Sequence, residues 1–112
     1  ARDIDTEIDT IVAEVDAYIS SGELVSAWNT CNSYIPQMKK KANQNLLEAK
    51  KSEILAELKP IYATGVSAYN EEDYTLAQEI FSKIVAINPA YDQAQAYLDR
   101  TTSKLRALSG SN

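Results

Sequence analysis

Between Ile61 and Pro89 the chain places small residues where two helices would have to cross and large apolar residues where they would flank that crossing. The stretch carries Ile61, Gly65, Ala68-Tyr69, Asp73-Tyr74, Ala77, Phe81, Ile84 and Asn88-Pro89. Steps of three and four residues mark two helical patterns. Asn70-Glu71-Glu72-Asp73 reads as the turn between them, with Asp73 placed to cap the second helix. Gly65 and Ala77 would let the two backbones approach within about 8–9 Å, the tight end of helix packing. These positions constrain the fold more than any bulk property does: they call for helices in antiparallel hairpins.

The rest of the chain follows the same periodicity. Ile4, Ile8, Ile11, Val12, Val15, Tyr18 and Ile19 form one stripe of a first helix, with most acids opposite. Ser20-Ser21-Gly22 ends it, because glycine best tolerates the left-handed C-terminal cap. Leu24, Ala27, Trp28, Cys31, Tyr34, Ile35 and Met38 form a second stripe. Pro36 lies inside it and is expected to kink rather than end the helix, since the apolar spacing runs on to Met38 and Ala42. A break is expected around Lys50 to Ser52, with Ser52 capping the next helix. The third stripe runs from Ile54 to Tyr69, and Pro60 within it marks either a bend or a fresh start. Asn88-Pro89 predicts the start of a fifth helix carrying Tyr91, Ala94, Tyr97, Leu98, Leu105 and Leu108. Residues 109–112 read as a frayed tail.

The chain also resembles itself. Gly22-Glu23-Leu24, Ala27 and Cys31 parallel Glu72-Asp73-Tyr74, Ala77 and Phe81, with Ala27 and Ala77 standing 50 residues apart. Together these residues resemble the tetratricopeptide repeat, a helix–turn–helix unit of about 34 residues with aromatic, Gly, Ala, Phe and closing Pro positions. The departures are Glu72 at the usual turn glycine, Thr64 at a leucine and Ile61 at an aromatic. The resemblance implies an all-α fold of antiparallel hairpins stacked as a short right-handed superhelix of about five helices. It divides a single domain, residues 1–108, into a weak repeat (9–38), a lysine-rich helical segment (39–57), a better repeat (58–89) and a capping helix (89–108).

Composition excludes several kinds of chemistry. The 112 residues include no histidine and one cysteine, so the commonest general base, an internal disulfide and a cysteine-built zinc site are all missing. Neither an enzyme nor a cofactor is expected. A net charge of −5 argues against nucleic acid as a partner. No apolar run approaches the roughly 20 residues of a membrane span, and no secretory signal is expected at Ala1. Asp3, Asp5, Glu7 and Asp9 alternate like a calcium loop but lack its glycine and distal glutamate, so no metal site is expected. Charge is distributed unevenly. Residues 1–23 hold seven acids against Arg2, whereas residues 39–59 hold six lysines against Glu48, Glu53 and Glu57. The two segments could attract each other within the fold or between copies.

By resemblance, the inner face of each repeat's first helix is a peptide groove. On this sequence that face is Lys59, Tyr62, Val66, Tyr69 and Asn70, with Asp9, Val12, Asp16, Ile19 and Ser20 in the weaker repeat. Tyr62 and Tyr69 suit partner anchors, and they equally suit packing between helices. The branch of the family that clamps a C-terminal carboxylate needs Lys and Asn where Tyr62 and Val66 stand, so that use is not expected. Cys31 reads as a buried thiol. The function implied is a non-catalytic module that binds a protein or peptide segment. The alternative is a homo-oligomeric structural element of a larger envelope protein, and a bacterial periplasmic or envelope setting goes with the resemblance.

Overall fold

A computed structural model describes residues 3–110, and all of their regular secondary structure is helical. The five α-helices are α1 (Ile8–Ser20), α2 (Leu24–Tyr34), α3 (Lys41–Asn70), α4 (Tyr74–Ile87) and α5 (Ala94–Leu108). The all-α hairpin architecture read from the sequence is therefore present. Packing divides the chain between Ala56 and Glu57 into two compact units. The first unit holds α1, α2 and the start of α3. The second holds the end of α3, α4 and α5.

Both units turn their hairpins in the same way. After α1, Gly22 takes φ 79°, and the Glu23 N–H donates to the Tyr18 carbonyl at 2.8 Å. After α3, Glu72 takes φ 63°, and the Asp73 N–H donates to the Ala68 carbonyl at 2.8 Å. In each case the left-handed residue's own N–H also closes on the carbonyl three residues back, which completes a Schellman cap. Asp73 then accepts from the Leu76 N–H and starts α4 as expected. Because a side chain strains the left-handed region, Glu72→Gly should stabilise the protein by about 0.5–1 kcal/mol and Gly22→Ala should cost about 1 kcal/mol. Urea unfolding of both variants measures this, and equal effects of the same sign would contradict it.

The repeat extends to the buried crossings. Ala27 and Ala77 are both fully buried. Val15 and Cys31 in the first unit correspond to Gly65 and Phe81 in the second, and all four are buried. A medium pair in one unit is thus replaced by a smallest-plus-large pair in the other, which conserves filling of the interior.

Three boundaries differ from the sequence expectation. The second helix does not kink through Pro36: α2 stops at Tyr34, a 3-10 turn covers Ile35–Gln37, and Met38 is extended. No break falls at Lys50–Ser52, because nothing there competes with a run of helix formers, and the Ser52 hydroxyl bonds back to the Glu48 carbonyl. Pro60 lies inside α3. Asn88-Pro89 forms a turn in which the Asn88 side chain accepts from the Ala90 N–H, so α5 begins only at Ala94. Of the tail, Ser111 and Asn112 lie outside the described residues.

What replaces the expected kink is a tether from far away in sequence. Residues Ile4–Glu7 form a 3-10 turn rather than α-helix. Its Asp5, 5% exposed, accepts from the Lys39 N–H at 2.8 Å, the Lys40 N–H at 3.2 Å and the Asn43 amide at 2.8 Å. These bonds fasten to Asp5 the two residues just before α3 and the side chain of Asn43 in its first turn. The Lys39 N–H above all, then the Asn43 amide, holds the Asp5 carboxyl below its ordinary pKa. Since the folded pKa is the lower one, this contribution to stability is complete above about pH 4 and is lost as pH falls further. Melting temperatures of the wild type and Asp5→Asn should therefore differ most near neutral pH and converge in acid. A gap that does not change with pH would contradict this.

Candidate binding faces

In the second unit the groove residues named from the sequence lie on the final turns of α3. Lys59 and Asn70 are exposed, whereas Tyr62, Val66 and Tyr69 are half-buried. The two tyrosines belong to an aromatic cluster that α5 closes. Tyr97 of α5 is its hub: the ring stacks on Phe81 at 4.9 Å and 4° and meets Tyr69 at 5.3 Å and Tyr62 at 6.1 Å. Tyr62 also contacts Phe81 at 5.7 Å and Tyr91 at 5.6 Å. Its hydroxyl accepts from the Gln93 N–H at 3.3 Å. Burial pushes the Tyr62 phenol up, and the Gln93 bond opposes this only in part. Tyr69 turns its other side to Tyr74 at 5.5 Å, and the Arg100 guanidinium lies 5.3 Å from the Tyr97 ring. A partner on this face would therefore meet Lys59, Asn70 and the outer edges of rings already packed against α5.

Sequence reasoning missed Tyr97 as the hub. The available signal was the crowding of aromatics: five of the seven tyrosines follow Glu57.

In the first unit Asp16 is exposed and Ile19 half-buried on α1. Asp16 pairs with Lys50 of α3 at 2.7 Å, and Lys50 also reaches Glu53 at 3.1 Å. The bond to Asp16, then that to Glu53, raises the Lys50 pKa. Lys51 places its ammonium 4.5 Å from the centre of the Trp28 ring. The attraction between the acidic first helix and the lysine-rich segment is thus realised within the chain at Lys50, whereas Lys51 meets Trp28 of α2 and Glu48 of its own helix. Lys39, Lys40 and Lys41 remain exposed, with no ion pair among the described residues. Cys31 is fully buried, and desolvation pushes its thiol up, away from the reactive thiolate.

Among the described residues no cluster of three or more His, Cys, Asp or Glu side chains is placed to hold a metal ion. No helix among them is long and apolar enough to cross a membrane. Set against known proteins, the chain matches no family model, no curated protein and no solved structure.

Proposed function

We propose that the chain is a non-catalytic protein–protein interaction module of tetratricopeptide type, which holds a protein segment against helical hairpins. The observation that carries this reading is the hairpin turn built twice, 50 residues apart, with the same pattern of bonds from different residues. Repeated helix–turn–helix units keep their geometry while their surface side chains diverge, which suits them to partner recognition. In the second unit the segment would lie along Lys59, Val66 and Asn70 beside the outer edges of Tyr62 and Tyr69. Asp16 and Ile19 offer the corresponding positions in the first unit.

Peptides selected from a random display library on the intact chain provide the test. Their binding should weaken at least about tenfold with Lys59→Glu or Val66→Glu, as for a contact near the centre of an interface. Lys104→Glu on α5 is the control and should leave binding unchanged. Selection of nothing above background, or binders indifferent to both substitutions, removes this face from consideration.

A further inference from the structure

The helix that closes the aromatic cluster is itself held by little. α4 buries four large side chains, Ile80, Phe81, Ile84 and Ile87. α5 buries only the small Ala94 and the polar Thr101, while Tyr97, Leu98 and Leu105 stay half-buried. Thr101 is 0% exposed, and its hydroxyl has no hydrogen-bond partner among the described residues. A hydroxyl taken out of water unpaired opposes its own burial. It regains hydration whenever α5 lifts. The neighbouring Thr102 differs: it is half-buried, and its hydroxyl accepts from the Gln78 side-chain amide of α4 at 3.3 Å.

The connection into α5 is no firmer. Asp92, in the loop between α4 and α5, takes φ 42°, a left-handed value that strains an L-residue. No side chain caps the first turn of α5. The Gln93 N–H reaches the Tyr62 hydroxyl at 3.3 Å, a long bond. A helix of 15 residues is marginal in water by itself, so α5 unravels once it leaves its seat. α3 and α4 do not depend on it for their own crossing, where Gly65 lies close against Ile80 and Phe81.

We propose that α5 is a releasable latch. It lifts from α3 and α4 as one unit while those two stay paired, and the unpaired Thr101 hydroxyl sets how readily it does so. Release removes the Tyr97 ring, which stacks on Phe81 at 4.9 Å and lies against Tyr69 and Tyr62. The faces of those three rings are then open, where the latched form shows only the outer edges of the tyrosines. What the opening offers a partner rests on the peptide-binding reading, whereas the latch itself does not.

Hydrogen exchange of the intact chain without ligand, followed amide by amide by NMR, tests the proposal. Amides of α5 from Tyr97 to Leu105 should share one protection factor, at least about tenfold below that of α4 from Ile80 to Ile84. Thr101→Val should raise protection of α5 about tenfold, because valine gives up no hydration when the latch closes. Thr102→Val discards the bond from Gln78 and should instead lower it, by about two- to tenfold. Amides of α5 as well protected as those of α4 overturn the proposal, as does Thr101→Val without a gain. Equal gains from the two valines also overturn it, since apolarity and not the unpaired hydroxyl would then govern the latch. No peptide enters this measurement, so either reading can fail without the other.

Discussion

Replacing Phe81 with alanine is expected to destabilise the protein by about 3–5 kcal/mol, the cost of emptying a buried aromatic site. Phe81 is fully buried on α4, stacked on Tyr97 and met edge-on by Tyr62. Its removal takes away the floor of the aromatic cluster and leaves a void next to Gly65, where no side chain can swing in. Denaturant unfolding measures the loss. A cost below about 1 kcal/mol would mean that the cluster collapses without penalty, contrary to the close stacking of Phe81 and Tyr97.

The second large effect lies across the same crossing. A methyl group on Gly65 would sit 2.8 Å from Ile80 Cγ2 and 2.9 Å from Phe81 Cζ. Neither atom can retreat: Ile80 and Phe81 are buried, and the Phe81 ring is fixed by its stack on Tyr97. An alanine in a helix interior ordinarily gains up to about 1 kcal/mol over glycine. Here overpacking should outweigh that gain and leave Gly65→Ala destabilised by about 1–3 kcal/mol. The double variant Gly65→Ala, Phe81→Leu separates a clash from a mere loss of packing. Shortening the ring removes its colliding edge, so the pair should cost about 1 kcal/mol less than the sum of the single changes. Additive costs would show that the two residues do not compete for the same space.

The parts of this fold legible in the sequence are those where one residue type has a single physical use. Gly65 marked a crossing because nothing larger fits, Gly22 marked a left-handed cap, and Asp73 marked a helix start. Each is found in that role. Less legible were features decided by distant partners. The start of α3 depends on Asp5, more than 30 residues earlier, so the Pro36 region looked like a kink when it is an ending. Asn88-Pro89 has the residues of a helix start, and local bonds from Asn88 use them for a turn. Thr101, fully buried with no partner for its hydroxyl among the described residues, could not be told from its neighbour Thr102 by sequence. The candidate groove was legible as a set of positions along α3. That α5 already packs on Tyr62 and Tyr69 was not, because it depends on where Tyr97 lands.

Trp28 is the chain's single tryptophan and lies in the first unit, under Lys51. Tyr62, Tyr69, Tyr74, Tyr91 and Tyr97 all lie in the second. Each half of the molecule therefore carries its own chromophore. Indole emission follows one half while the near-ultraviolet ellipticity of phenol rings is weighted toward the other. Heating a single unlabelled sample thus shows by eye whether the halves let go together or in turn.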